Sequence, residues 1–483
     1  MPRQYFGRPR GLVALLGVAV GLIALFGAQA PALDPTQADR FTAQIVVSLL
    51  EHGHLSKPRV NDEIAQKWAR LFIKSLDPQK LYFEKPDVEA FLAQDLTLDD
   101  QIRRGNIDFA VAVFNKYLQR HDQRLATVLD LLGQKFDFTA DESIVDDPDL
   151  QDYPADAKEA KERWRKQIKY ELLTKRILKS DEAEAIDQLK VRYRDLNRYF
   201  HQFDTTDLLE RYLTAMTMAV DPHSSYMGSK SFEDLMGQQL HLSLEGIGAS
   251  LSVEDGFPIV KEIVPGGAAD KDGRLAPEDK IVGIEADEGK VVDFVEKKLA
   301  DVVRMIRGPR GTKVRLIVQP ADSKDRKVYE LTREKIELKD AHAKGQVIET
   351  KGADGKPRKI GVIDLPSFYG DTAAVRRGDP DAVSATQDCA MILEGFKKQG
   401  VDGVLIDLRR NGGGLLVEAI TLSGLFIDSG PVVQVRDPES LTHHDDDEPG
   451  TAWDGPLTVL ISHYSASASE IFAGVIKDYG RGL

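Results

Sequence analysis

The chain has 483 residues, 42% of them apolar, which suffices for about three packed domains. Acidic residues (78) outnumber basic ones (64) for a net charge of −14, and no basic stripe stands against it, which excludes nucleic-acid binding. A single cysteine, Cys389, excludes an internal disulfide; on a helical face with Ile392, Leu393 and Phe396 it reads as a core thiol.

Arg3, Arg8 and Arg10 precede an apolar run over 11–27 and then Ala28-Gln29-Ala30. This is the pattern of a secretory signal cut after Ala30, so residues 1–30 are expected to be removed and the folded part to lie outside the cytoplasm. An uncleaved anchor is the competing reading, because the run approaches the minimum length of a spanning helix.

Residues 31–235 read as an all-helical domain. Apolar residues recur at three- and four-residue spacing over 37–51, 61–76, 98–132, 158–178 and 182–199, with charged residues on the opposite faces. Acidic stretches such as 141–152 separate these helices. Asp221-Pro222-His223-Ser224-Ser225 contains a Ser-His pair, but neighbours on a turn rarely face each other, so a structural turn is expected.

Residues 236–325 change to short strands with the order of a PDZ-like domain. Such domains bind an extended peptide as an added strand and hold its terminal carboxylate on backbone N–H groups. Gly246-Ile247-Gly248 is the matching loop, with Ile247 as the floor of a pocket for an apolar terminal side chain.

Residues 326–483 read as a partial β-α core with parallel strands. A strand over 403–409 runs into Arg410-Asn411-Gly412-Gly413-Gly414 and a helix over 415–426. Consecutive glycines at such a turn expose N–H donors without matching a phosphate-cradling spacing, and an oxyanion hole is the functional reading. A second strand over 457–462 leads into Ser465-Ala466-Ser467-Ala468-Ser469-Glu470 and an amphipathic helix. A serine there faces the unpaired N–H groups of a first helical turn, a workable place for a nucleophile, while Ser467 and Glu470 also fit a plain capping box. His443-His444-Asp445-Asp446-Asp447-Glu448 has metal-ligand residue types but reads as a solvated polar loop; no metal and no cofactor are expected.

These motifs, with Asp478-Tyr479-Gly480-Arg481 and Leu244-Glu245-Gly246-Ile247-Gly248-Ala249, resemble the C-terminal processing or tail-specific serine proteases, in their long periplasmic form. The resemblance implies a Ser–Lys dyad that cuts loosely folded, C-terminally apolar proteins. It maps the nucleophile onto Ser467, oxyanion donors onto Gly412, Gly413 and Ala468, and supporting roles onto Glu470 and Asp478. It also implies an adaptor lipoprotein on the helical domain. The family's lysine lies some two dozen residues beyond its serine, in a Thr-Phe-Gly-Lys-Gly-type segment, and residues 1–483 hold no such segment. Lys477, ten residues along one helix, would lie roughly 15 Å from Ser467. The 483-residue chain is therefore expected to be inactive as a peptidase, an incomplete record or a truncated product, with a non-catalytic peptide-binding scaffold as the alternative.

Overall fold

The computed structural model describes residues 33–240, 242–286, 289–338, 341–378 and 382–483. The expected signal segment, 1–30, lies outside them. Among the described residues no helix is long and apolar enough to cross a membrane.

The first part is helical: α1 (Gln37–Gly53), α2 (Asp62–Leu76), α3 (Lys85–Leu92), α4 (Leu98–Arg103), α5 (Asp108–Leu131), α6 (Ala157–Ile177), α7 (Glu182–His201), α8 (Thr205–Val220) and α9 (Ser229–Asp234). Side chains close their N-termini where the sequence offers short polar residues: Thr36 before α1, Asn61 before α2, Asp156 before α6 and Asp181 before α7. The inward faces form one core in which Trp68, Phe72, Phe114 and Tyr212 are buried, and Trp68 Nε1 donates to the Tyr212 carbonyl at 2.9 Å. A smaller cluster around Trp164, Val128 and Leu189 joins α5, α6 and α7.

One expected helix is two. The apolar spacing over 98–132 continues across Gly105, but that residue has φ +70° and packs on the Arg40 backbone. A Cβ there would lie 2.8 Å from the Arg40 carbonyl oxygen. The chain turns at this glycine and restarts as α5, a break that helical periodicity does not register.

The next part is a β domain: β1 (Ser243–Gly246), β2 (Ala249–Glu254), β3 (Phe257–Ile263), α10 (Ala268–Asp272), β4 (Lys280–Glu285), β5 (Val291–Asp293), α11 (Leu299–Ile306), β6 (Lys313–Gln319), β7 (Lys327–Thr332) and β8 (Glu334–Glu337). Strands β2-β3-β4-β6-β7 form an antiparallel sheet with β5 beside β4, while β1 pairs with β8. Val302 and Ile306 of α11 pack with Val260, Leu316 and Ile247 in its core.

The last part comprises β9 (Lys344–Lys351), β10 (Pro357–Asp364), α12 (Thr372–Arg377), α13 (Ala385–Gln399), β11 (Gly403–Asp407), α14 (Leu416–Gly424), β12 (Gly430–Arg436), β13 (Leu441–Asp446), β14 (Leu457–Leu460) and α15 (Ala468–Asp478). Strands β10, β11 and β14 are parallel, with Asp364 opposite Asp407 and Asp407 opposite Leu460; β9 adds an antiparallel edge. The acidic segment at 443–448 is not simply a polar loop: most of it is β13, paired with β12 in a hairpin against α14 and α15. Cys389 is fully buried on α13, and burial pushes its thiol pKa far up.

Candidate functional site

Because the three parallel strands end in register, the turns that follow β11 and β14 emerge side by side beyond their carboxyl ends, where open α/β sheets place their ligands. The backbone of Leu408 donates to the Leu460 carbonyl at 2.9 Å, carrying the pairing past the strands. From there the two turns are sewn together by serines. Ser465 Oγ donates to the Leu408 carbonyl at 2.7 Å, Ser469 Oγ to the Asn411 carbonyl at 2.9 Å, and Ser462 Oγ to the Arg409 carbonyl at 2.5 Å.

Ser465 and Ser469 are thus spent on architecture, and Ser469 is fully buried. Ser467, between them, is exposed at the N-cap of α15. Its backbone has φ +55° and ψ −116°, whereas N-cap residues are ordinarily extended with negative φ. A side chain with a Cβ held at positive φ costs on the order of 1–3 kcal/mol. Capping alone does not require that strain. A sharp strand-to-helix turn does.

Glu470 stabilises the bend: its carboxylate accepts from the Ser467 N–H at 2.6 Å. The N–H groups of Ser469, Glu470 and Ile471 donate to the carbonyls of Ala466 and Ser467. The Ala468 N–H forms no hydrogen bond among the described residues. It is the first donor of α15 and carries the positive end of the helix dipole.

The glycine turn stands directly against this bend. A Cβ on Gly413 would lie 2.8 Å from Ser467 Cβ, 2.9 Å from the Ala466 carbonyl oxygen and 3.2 Å from the Ala468 nitrogen. Gly413 has φ +109° and Gly414 φ +150°; a Cβ on Gly414 would sit 2.4 Å from the Phe368 carbonyl oxygen. Phe368 in turn donates to the Gly413 carbonyl at 2.9 Å and accepts from Leu415 at 2.8 Å.

Asn411, fully buried, was not singled out from sequence. Its side-chain nitrogen donates to the Leu365 carbonyl at 3.0 Å and its oxygen accepts from the Gly413 N–H at 2.8 Å. The Gly413 donor is therefore engaged internally, which corrects its assignment as a free oxyanion donor. Among the described residues the Gly412 N–H forms no hydrogen bond.

A second correction concerns Asp478. It is the last residue of α15, about 16 Å along the axis from Ser467, and exposed. Its position does not touch the serine turn. His463 is exposed, its ring tilted against that of Tyr464 with centroids 3.8 Å apart. No group of His, Cys, Asp and Glu side chains among the described residues is arranged to hold a metal.

The second candidate feature is a cleft of about 460 Å³ between β2 and α11. Gly246, Ile247 and Gly248 close one end, and its walls include Leu251, Val264, Leu299, Val303 and Ile336. Ile247 is anchored in the core at 3% exposure while its carbonyl accepts from Ala269 at 2.8 Å. Gly248 has φ +75°, and a Cβ there would lie 3.1 Å from both Gly267 Cα and Ile336 Cδ1. The N–H groups of Ile247 and Gly248 form no hydrogen bonds among the described residues. Two unpaired donors at the closed end of an apolar trough fit a terminal carboxylate and its side chain.

Comparison with known proteins agrees in order along the chain. The family model for the tail-specific protease N-terminal domain matches residues 46–230, the PDZ-domain model 238–319, and the model for peptidase family S41 359–483. A tail-specific protease of Haemophilus influenzae is 33% identical over 436 residues, covering 90% of this chain and 60% of the relative. The carboxy-terminal processing protease CtpA of Bacillus subtilis is 29% identical over 300 residues, covering 60% of this chain and 57% of its own length. The crystal structure of a PDZ domain from a Vibrio cholerae carboxy-terminal protease, in complex with peptide, is 43% identical and is covered in full by 20% of this chain, with a TM-score of 0.19. The chain thus spans less than two thirds of these curated relatives. With its helical, PDZ and S41 parts in that succession, and a strained serine turn packed on a glycine turn at the sheet's carboxyl end, the chain belongs to the C-terminal processing, or tail-specific, serine protease family.

Proposed function

We propose that this chain carries the tail-recognition cleft and the nucleophile of a serine endopeptidase acting on the C-terminal regions of loosely folded proteins. The observation that carries the reading is the Gly413–Ser467 contact: a strained, exposed serine whose neighbouring Ala468 N–H is unpaired. In this reading Ser467 Oγ attacks the scissile carbonyl, and the carbonyl's developing negative charge is met by the N–H groups of Ala468 and Gly412. Glu470 holds the turn, and Gly413 supplies room rather than a donor.

The hydroxyl proton needs an acceptor. Among the described residues no lysine hydrogen-bonds to Ser467, and Lys477 sits in the last turn of α15. The reading therefore assigns the base to a lysine outside the described residues. It takes residues 31–235, 236–325 and 326–483 as the helical, peptide-binding and catalytic units, in the periplasm after loss of a signal peptide. An adaptor on the helical unit is supported by family resemblance alone.

Purified residues 31–483, offered an unfolded protein with an apolar tail, should bind the tail and leave it uncut. Cleavage lost on Ser467→Ala would show that the base lies within this sequence. Cleavage surviving Ser467→Ala would remove the nucleophile assignment, and failure to bind apolar tails would remove the recognition assignment.

A further inference from the structure

A second cavity, of about 610 Å³, exceeds the tail cleft in size and lies in the helical part between α2, α7 and α8. We propose that it is an exosite for the stretch of substrate lying just upstream of the tail, taking a large apolar side chain about five to eight residues from the C-terminus. The inference rests on the tail-binding reading of the β2–α11 cleft.

Its lining is apolar where it is open and satisfied where it is polar. Leu71, Tyr199, Phe203 and Met218 form walls, with Met218 42% and Tyr199 49% exposed. The charged groups on it already have partners. Asp207 pairs with Lys298, Glu210 accepts from the Gly228 N–H at 3.0 Å and from Ser231 Oγ at 2.8 Å, and Arg211 donates to the Ser75 carbonyl at 2.7 Å. A polar ligand would compete with hydrogen bonds already made, whereas an apolar side chain would cover exposed apolar surface.

The path into this cavity follows from the direction a tail must take. The unpaired N–H groups of Ile247 and Gly248 fix the carboxylate end, and Gly246 lies beside the C-terminal end of α11, where a Cβ on it would be 3.5 Å from Arg307 Cγ. A strand added to β2 then runs back along α11 towards Leu299. Eight helical residues span about 12 Å, or about four extended residues. The tail therefore leaves the cleft beside Lys298.

Lys298 is also the boundary of the second cavity. Its ammonium group pairs with Asp207 and lies 5.8 Å from the Phe203 ring centroid, and both residues line that cavity. Gln202, next to Phe203, donates to the Glu296 carbonyl at 2.7 Å, which pins the end of α7 to the segment leading into α11. The two cavities also share α9, whose Asp234 lines the tail cleft and whose Ser231 lines the groove.

Two sites on one ligand act through effective concentration, so a long tail should gain affinity over a short one without any change at the cleft. The test uses labelled peptides and fluorescence polarisation on residues 31–483. One peptide holds four apolar C-terminal residues. A second extends it to ten with phenylalanine seventh from the end, and a third carries glycine there. The phenylalanine peptide should bind about tenfold tighter than the other two. Met218→Glu and Tyr199→Ser, both at exposed positions, should abolish that gain and leave the short peptide unchanged. A photoreactive phenylalanine analogue at the seventh position should crosslink to α7 or α8.

If the short peptide binds and lengthening brings no gain, or a gain that both variants retain, the exosite is wrong and the tail cleft stands. If the short peptide does not bind, the recognition reading fails and the exosite with it. Crosslinking confined to the β domain would also overturn the exosite.

Discussion

Gly413 and Ser467 face each other so closely that a single methyl group on the glycine would fall 2.8 Å from the serine's Cβ. Two turns 54 positions apart in sequence are thereby one structural unit, and each constrains what the other tolerates.

Gly413→Ala should destabilise the chain by about 1–3 kcal/mol, since the new Cβ meets both a contact shorter than side chains adopt and a backbone at φ +109°. Gly412→Ala is the control: nothing lies within 4 Å of its Cβ position and its φ is not in the left-handed region, so the change should be within about 0.5 kcal/mol. Urea denaturation of the two variants measures the contrast. Equal losses would mean that the Gly413 contact is not what holds the turn.

Ser467→Gly should be stabilising, by about 1 kcal/mol, because glycine relieves a positive-φ backbone and the Glu470 carboxylate keeps its bond to the main-chain N–H. Ser467→Ala retains the Cβ and should bring no such gain. Thermal unfolding of the pair decides it, and a less stable glycine variant would argue against stored strain at this serine.

Asn411→Ala removes a buried amide that satisfies the Leu365 carbonyl and the Gly413 N–H together. Leaving both groups buried without partners should cost about 2–4 kcal/mol. Amide hydrogen exchange should report the loss first at Gly413, and unchanged protection there would show that another group fills the role.

Apolar tail binding should be weakened at least tenfold by Val303→Lys, which puts a charge into the cleft wall from a partly exposed position on α11. Gly248→Ala should act through the loop instead, by displacing it from Gly267 and Ile336. Fluorescence polarisation with a labelled apolar peptide checks both; retained affinity in both would move the tail site elsewhere.

Acid should destabilise the helical part through His121. Burial, with its ring stacked 4.0 Å from Tyr82, pushes its pKa down to about 4. Below about 6.5 the unfolded chain takes up a proton that the folded imidazole refuses, so this contribution is present above 6.5 and is lost as pH falls towards 4, up to ~3 kcal/mol in all. Asp77 acts in the opposite sense. Burial pushes its carboxyl up to about 6 despite three accepted backbone N–H bonds, so its contribution is present below about 4 and lost as pH rises through 6. The difference between wild type and His121→Phe isolates the histidine. Stability curves of the two that run parallel from pH 7 to 4 would contradict the assignment.

Local chemistry made much of this protein readable from its residues. Apolar spacing announced α1, α2, α6 and α7, and two β-branched runs ending in Gly-Gly-Gly and Ser-Ala-Ser announced β11, β14 and the turns after them. Where a feature depended on a distant backbone, periodicity carried no trace of it. Gly105 breaks a helix because Arg40 lies against it, and the hairpin of β12 and β13 turns polar residues into a strand because each is the other's partner.

The site divides the same way. The sequence by itself determined that a small hydroxyl residue stands at a strand-to-helix junction and that a glycine turn precedes another helix, because capping, β-branching and glycine's permissiveness are local properties. Local pattern gave the three serines of that junction alike surroundings, and only the family resemblance singled out Ser467. The tertiary structure sets them apart: the parallel register of β10, β11 and β14 brings the turns together, lets Ser465 and Ser469 bind the carbonyls of Leu408 and Asn411, and leaves Ser467 exposed against Gly413. Hydrogen bonds and close contacts across more than fifty residues belong to the folded chain alone, and they give three similar hydroxyls unlike surroundings.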